Sequence, residues 1–268
     1  MSALALEHIT KSFGGVHAVD GVSLEFAPGT VTALIGPNGA GKTTVFNLIS
    51  GFLRPDEGTI HYRDEELTGR PPHQIARRGI GRLFQDVRLF GRMTVLENVL
   101  SAFPDQRGER VWRSVFTRWR VNAQEQNHTE HAMRLLEQIG LTDRADALGE
   151  NLSYGQQKLV AIARLLAADA DVLLLDEPVA GVNPGLAETL LATICHLAEQ
   201  GKTVVVIEHN MNVVLDVADW TYFMDDGSLA SFGLPQDVLA DPEVRAAYMG
   251  LDEVSGETNE RNEPASAP

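Results

Sequence analysis

The stretch Gly36-Pro37-Asn38-Gly39-Ala40-Gly41-Lys42-Thr43 follows an apolar run, Val31–Ile35, and opens onto a helical segment, residues 44–50. Glycines in such a turn permit positive φ angles and close approach of the backbone, so successive amide N–H groups can face one anion. The next helix presents its positive end to the same point. Lys42 can then reach the β- and γ-phosphates of a nucleotide, and the Thr43 hydroxyl can ligate Mg²⁺. The stretch therefore predicts a phosphate-binding loop.

The candidate nucleotide-binding residues are the whole of this loop together with Thr44. A glycine-rich turn that binds nothing is the alternative, but the complete pattern between a strand and a helix disfavours it. A further candidate is Phe13, because the segment Ser12-Phe13-Gly14-Gly15 is typical of a turn, where an aromatic has little reason to pack. Phe13 could stack on adenine, worth about 1–3 kcal/mol, or fold onto the core. The segment alone leaves both open.

Composition limits the class of protein. At 268 residues with 44% apolar content, the chain can bury a sizeable core. Its net charge of −15 argues against a nucleic-acid partner, which needs clustered Lys and Arg. The single cysteine, Cys195, cannot form an internal disulfide, and the first residues do not resemble a secretion signal, so we expect a cytoplasmic protein. No stretch approaches the roughly 18 consecutive apolar residues of a membrane span, so any membrane role requires a partner.

Two apolar runs end in ionisable residues. Val172–Leu175 is typical of a strand buried on both faces of a parallel sheet, and Asp176-Glu177 follows it. Ligands lie at the carboxyl ends of such strands, so we expect Asp176 to hold Mg²⁺ through water and Glu177 to polarise an attacking water. A second β-branched run, residues 203–207, delivers His209 to the same edge, where it could donate to the γ-phosphate or be structural.

Alternation of apolar and polar residues predicts antiparallel strands over 4–9 and 22–26, and strands on either side of Asp225-Asp226-Gly227, a hairpin signal. Ser153, with Gln156 three residues on, predicts the capped start of a helix, although such a start can also bind an anion. A strand near residue 80 ends at Gln85, which by itself means little.

From Thr94 to about Leu141 the pattern becomes helical, like a subdomain inserted into the sheet, with one helix stopping at Gly140. Within it, an apolar stripe is flanked by arginines: Val111, Val115 and Trp119, with Arg110, Arg113, Arg118 and Arg120. An insert helix packing its own stripe is one interpretation; a basic contact to a membrane surface or partner is the other. Residues 252–268 are acidic and polar, which predicts disorder.

Taken together, the order of elements is the phosphate loop, Gln85, Leu152-Ser153-Tyr154-Gly155-Gln156, Asp176-Glu177, Asn183 and His209. This order resembles the ATP-binding subunit of an ABC transporter over about residues 4–251. The resemblance implies an α/β fold: a RecA-like parallel-sheet core, an antiparallel β subdomain and a helical subdomain inserted at about 86–168, in a single domain of residues 1–251.

The resemblance also implies functional roles. Phe13 is the aromatic that stacks on adenine, Gln85 links Mg²⁺ and the water to the transporter contact, Glu177 is the general base, and His209 senses the γ-phosphate. Ser153, Gly155 and Gln156 belong to a signature that closes on ATP bound by a second ATPase subunit, arranged head to tail. The implied partners are transmembrane permease subunits and, indirectly, a periplasmic or extracellular binding protein. The chain would then lie peripherally at the cytoplasmic face of the membrane.

Departures from the commoner family pattern point to a subfamily. Tyr154 stands where Gly is usual, Val179-Ala180-Gly181-Val182-Asn183 replaces a loop with Ser-Ala-Leu-Asp, and residues 241–250 begin Asp-Pro-Glu-Val. These features resemble the ATPase subunits of branched-chain amino-acid importers, with urea or short-amide importers as close alternatives. Lipid or lipopolysaccharide export also remains open. A non-transport ATP switch is disfavoured because it would usually carry two cassettes or flanking coiled coils.

Overall fold

A computed structural model describes residues 2–104 and 118–248, with the backbone alone for 118–125. Within these residues the strands are β1 (Leu4–Phe13), β2 (Val16–Phe26), β3 (Val31–Ile35), β4 (Glu57–Tyr62), β5 (Glu65–Glu66), β6 (Ile80–Leu83), β7 (Val172–Asp176), β8 (Thr203–Ile207), β9 (Trp220–Asp225) and β10 (Ser228–Gly233). The helices are α1 (Lys42–Ile49), α2 (Pro72–Ala76), α3 (Val95–Leu100), α4 (Arg118–Gln138), α5 (Tyr154–Ala167), α6 (Pro184–Glu199), α7 (Met211–Val217) and α8 (Pro235–Ala240), followed by a helix at 242–248.

The larger sheet has the strand order β10-β9-β3-β8-β7-β6, and all of its neighbouring strands are parallel except β10 and β9. The strands β3, β7 and β8 are buried at every position, as expected where both faces are covered. Because they are parallel, their carboxyl ends meet at one edge. Asp176 pairs with Ile207, so the ionisable residues that follow β7 and β8 lie side by side.

An antiparallel sheet with the order β2-β1-β4-β5 shares its core with one face of the parallel sheet. Successive side chains of β7 alternate between two core clusters. Val172 and Leu174 pack with the antiparallel sheet and α1, whereas Leu173 and Leu175 pack with α3 to α6. The predicted α/β architecture, with a parallel core and an antiparallel β layer, is confirmed.

The helices α3, α4 and α5 lie between β6 and β7 in the chain and contact one another. The capping box of Ser153 and Gln156 is present at the start of α5, as predicted. The helix α4 ends at Gln138, and the predicted stop, Gly140, has a left-handed φ of +68°. The apolar stripe with its arginines lies outside the residues whose side chains are described, as does the tail 252–268. Among the described residues no helix has both the length and the apolar character needed to cross a membrane.

The first hairpin is longer than the sequence predicts. Strand β1 continues to Phe13, which pairs with Val16, so Phe13 ends a strand and the turn consists of Gly14 and Gly15. Register shifts interrupt the pairing of β1 and β2 after Leu6. Such irregularities break the strict alternation from which strand ends are predicted, which explains the missed extension.

Candidate active site

The phosphate loop joins the end of β3 to α1, in the predicted setting. Gly36 has a φ of +147° and Gly41 a φ of +97°, in the region that favours glycine. A Cβ at Gly36 would collide with the backbone oxygen of Met224, and one at Gly41 with that of Ala18. No side chain caps the start of α1, which leaves its first amides for an anion. The loop therefore fits the phosphates of a nucleotide.

Lys42 is folded back onto the loop. Its Nζ donates hydrogen bonds to the carbonyl oxygens of Gly36 at 2.7 Å and Pro37 at 2.8 Å. Burial lowers the pKa of the ammonium, and the carboxylates of Glu177 and Asp176 partly offset this shift. The cation is therefore held at the loop and faces the acidic strand end.

Glu177, the residue after β7, lies between two polar side chains. The Nε2 of Gln85 donates to its Oε2 at 3.1 Å, and the Nε2 of His209 lies 3.2 Å from its Oε1. Glu177 has a φ of +48°, an uncommon conformation for a residue with a side chain, and its N–H donates to the carbonyl of Ile207 at 3.0 Å. Backbone strain of this kind clusters at functional sites.

His209 is suited to donate a hydrogen bond without carrying a full charge. Burial lowers its pKa and the Lys42 ammonium lowers it further, whereas Glu177 and Asp176 oppose the shift. The imidazole is therefore largely neutral near pH 7. With the proton on Nε2, it donates to the carboxylate of Glu177.

Asp176 forms a buried ion pair that the sequence analysis missed. Its Oδ2 lies 3.0 Å from Nη2 of Arg82, and the two side chains are 10% and 6% exposed. Arg82 also donates to Asn47 Oδ1 at 2.7 Å and to Ser50 Oγ at 3.3 Å, both in the segment after the loop. The signal was an arginine inside the short strand β6, at 80–83.

Most of the predicted site residues line two adjoining cavities. One of about 240 Å³ is lined by Asn38, Gly39, Gly41, Lys42, Thr43, Thr44, Glu177, Ile207 and His209. The other, of about 850 Å³, includes Thr43, Gln85 and Asp176 in its lining. Gly36, Pro37 and Ala40 form the loop without lining either cavity.

The second cavity brings together the three predicted Mg²⁺ ligands. Thr43, Gln85 and Asp176 offer the oxygen donors that Mg²⁺ prefers. Among the described residues, no group of three or more His, Cys, Asp or Glu side chains could hold a metal by itself. Sparse protein ligation fits Mg²⁺, which is usually held by one or two carboxylates together with substrate phosphates and water.

The remaining predicted residues do not line these cavities. Ser153 and Gln156 bond each other at the start of α5, and a Cβ at Gly155 would press on Val182 and Leu186. Phe13 is 47% exposed at the tip of the hairpin whose Ala18 contacts the loop at Gly41. Their predicted contacts to nucleotide stay predictions.

Lys158 is a second missed residue. It is fully buried in α5, and its Nζ donates to the carbonyls of Glu177 at 2.7 Å and Ala180 at 2.9 Å. Burial lowers its pKa, with Glu208 and Glu177 opposing. The lysine attaches α5 to the backbone of the strand end that carries Glu177.

The chain matches known proteins over almost its full length. A family model described as ABC transporter matches residues 19–180, and one described as an AAA domain matches residues 150–216. The high-affinity branched-chain amino acid transport ATP-binding protein LivG of Escherichia coli (strain K12) is 40% identical over 248 residues, covering 92% of this chain and 97% of that protein. BraF of Pseudomonas aeruginosa, a protein with the same description, has the same identity and coverage.

Solved structures agree in fold. The ADP conformation of MJ1267, an ATP-binding cassette of an ABC transporter, is 37% identical with a TM-score of 0.81, covering 93% of this chain and 99% of that chain. The dimeric structure of MJ0796, a bacterial ABC transporter cassette, is 26% identical with a TM-score of 0.70, covering 87% of this chain and 98% of that one. The chain belongs to the ABC transporter family, as an ATP-binding and ATP-hydrolysing cassette.

Proposed function

We propose that this cassette powers an importer for branched-chain amino acids through a separate permease. The observation that carries the hydrolytic part is the carboxylate of Glu177, held between Gln85 and His209 in the cavity lined by the phosphate loop. The cargo rests on the descriptions of the relatives that are 40% identical, since no residue of a cassette contacts the cargo.

The residues divide the chemical work as follows. The loop amides and Lys42 bind the phosphates of ATP, and Phe13 stacks on the adenine. Thr43, Gln85 and Asp176 would hold Mg²⁺, Asp176 through water, and the ion would supply positive charge beside the β- and γ-phosphates. Glu177 accepts a proton from the water that attacks the γ-phosphorus. The bond between the γ-phosphorus and the bridging oxygen breaks, and ADP leaves with that oxygen on its β-phosphate. His209 donates a hydrogen bond to the γ-phosphate.

A second ATPase subunit completes each site. Ser153, Gly155 and Gln156 lie outside the cavities of their own chain, which supports a head-to-tail pair in which they close on the partner's nucleotide. The dimeric cassette among the structural relatives supports a second ATPase subunit. The second subunit is either a sibling or another copy of this chain.

The permease contact lies at the cleft of about 850 Å³ beside Gln85. Aromatic side chains at this part of the surface are unusually exposed: Phe52, Phe84 and Phe90 are 54%, 44% and 53% exposed, and Phe84 lines the cleft. Exposed apolar surface of this kind is typical of a partner interface. The cassette would therefore sit peripherally on the cytoplasmic face of the membrane, under a permease served by an external binding protein.

We further propose a single ATPase domain over 1–251, with a helical subdomain at about 86–168.

Deleting the gene and measuring uptake of labelled leucine and labelled urea tests the cargo. We expect leucine uptake to fall and to be restored by the wild-type gene but not by the Glu177→Gln variant. That variant serves as a matched control because its amide preserves the shape of the carboxylate and removes only the base.

Other outcomes select other functions. Normal leucine uptake with lost urea uptake would assign the chain to an amide importer. Unchanged uptake of both, in a strain without a second importer, would favour export or a non-transport ATP switch.

A further inference from the structure

Tyr154 contacts the residue that holds the catalytic carboxylate. It is the first residue of α5, and its hydroxyl donates a hydrogen bond to the backbone carbonyl of Gln85 at 2.5 Å. We propose that Tyr154 is a positioning residue, whose hydroxyl fixes the backbone of Gln85 so that the amide of Gln85 reaches Glu177. This inference rests on the proposed role of Glu177 as the general base.

The segment after β6 needs such an anchor. Among the described residues, the stretch 85–89 has no backbone–backbone hydrogen bond. Its backbone is held instead by two side chains of α5: the Tyr154 hydroxyl on the carbonyl of Gln85, and Nη1 of Arg164 on the carbonyl of Arg88 at 3.1 Å. Without the tyrosine hydroxyl, the carbonyl of Gln85 loses its partner from α5.

The tyrosine ring is itself oriented by its surroundings. It lies beside Gly181, where an added Cβ would be 3.5 Å from the ring, and the Nζ of Lys158 lies 4.9 Å from the ring centroid. Lys158 in turn bonds the carbonyl of Glu177. The ring and the catalytic residue therefore contact the same side chain, that of Lys158. These contacts hold the ring in place and so fix the direction in which its hydroxyl points.

A continuous set of contacts follows from this arrangement. Ser153 caps α5, Tyr154 holds Gln85, Gln85 donates to Glu177, and Glu177 meets His209. In the proposed head-to-tail pair, Ser153 faces the nucleotide of the partner subunit. The hydroxyl of Tyr154 would then connect two nucleotide sites. One is the partner subunit's site, which Ser153 faces, and the other is the site of the chain itself, where Glu177 acts.

The test is the Tyr154→Phe variant of the full chain, which keeps the ring beside Gly181 and removes only the hydroxyl. We expect kcat for ATP to fall about fivefold, the factor that corresponds to the loss of one hydrogen bond, with KM nearly unchanged and Tm lowered by no more than about 2–4 °C. The matched control is Tyr62→Phe, which removes a hydroxyl that contacts Asp171, away from the catalytic cavities. Its kcat should match the wild type.

A second measurement separates positioning from a general structural effect. In a Glu177→Gln background, Tyr154→Phe should lower the residual rate no further, because its effect passes through the base. An unchanged kcat in Tyr154→Phe, a full fivefold loss added to that of Glu177→Gln, or a raised KM with normal kcat would each overturn the proposal. Near-normal turnover of Glu177→Gln alone would instead remove the proposed function of the base.

Discussion

The strands β7 and β8 lie side by side, and a buried carboxylate stands at the carboxyl end of each. Asp176 ends β7 and precedes Glu177, and Glu208 follows β8 and precedes His209. The structure accommodates these two carboxylates differently. Asp176 is 7% exposed when the whole residue is counted, and it pairs with Arg82 at 3.0 Å. Glu208 is 4% exposed, and its Oε1 has no hydrogen-bond partner among the described residues, although the backbone amides of Val179 and His209 lower the pKa of its carboxyl group.

The difference shows two ways of burying an acid beside a reactive centre. A cation in contact compensates the charge of Asp176. Among the described residues the one cation acting on Glu208 is the more distant Lys158, so burial dominates and raises the pKa of its carboxyl group, with Glu177 raising it further. Asp176, the acid proposed to bind Mg²⁺, is thus paired with the guanidinium of Arg82. In Glu208, by contrast, burial disfavours the ionised form of the carboxyl group.

The largest expected effect is a loss of kcat, and it should distinguish Glu177, which faces the cavity at the end of β7, from Glu208, which is buried at the end of β8. Glu177→Gln should bind ATP but lose about 10²- to 10⁴-fold in kcat, because the base is removed and the binding groups remain. Glu208→Gln should retain hydrolysis, because Glu208 lines neither cavity. Single-turnover hydrolysis and ATP binding measured on both variants check this.

Lys42→Ala provides the opposite control, since it should lose ATP binding itself. Turnover near the wild-type rate in Glu177→Gln would contradict the assignment of the base. An equal loss in Glu208→Gln would show that the comparison of the two strand ends is wrong.

The next effect concerns the cation that distinguishes Asp176. Arg82→Met should lower the free energy of unfolding by about 3–5 kcal/mol, because it leaves a buried carboxylate without its partner. It also removes the bonds to Asn47 and Ser50. Urea unfolding of the full chain measures the change.

The matched control is Arg63→Met. Arg63 also lies 3.0 Å from an aspartate, Asp171, but these side chains are 64% and 44% exposed. An exposed pair contributes less than about 1 kcal/mol. Similar losses in the two variants would mean that burial is not what gives the Arg82 pair its importance.

The sequence predicts what local patterns encode. The phosphate loop, the strand before Asp176 and the capping box at Ser153 depend on neighbouring residues, and all are present. The contacts of Arg82 and Lys158 were missed because they join residues 94 and 19 positions apart, which only the packing of the sheet and α5 brings together. The conformation of Glu177 likewise depends on its bond to the end of β8.

The smallest effect tests the uncompensated acid. Because the pKa of Glu208 is raised in the folded chain, folding favours its protonated form, and stability is lost as pH rises above its ordinary value of 4.5. Glu208→Gln removes that loss. We expect the variant to be more stable than the wild type by about 1 kcal/mol near pH 8, or about 2–4 °C in Tm, with a smaller difference near pH 5.

Glu65→Gln is the control with the opposite sign. Hydrogen bonds from Arg78 lower the pKa of Glu65, so its contribution to stability is present above the ordinary value of 4.5 and is lost as pH falls through the lowered pKa. This variant should therefore lose more stability near pH 8 than at acidic pH. Thermal unfolding of both variants and the wild type across this range gives the two slopes. A difference between Glu208→Gln and the wild type that does not grow with pH would mean that Glu208 is compensated like Asp176, and the contrast between the two strand ends would disappear.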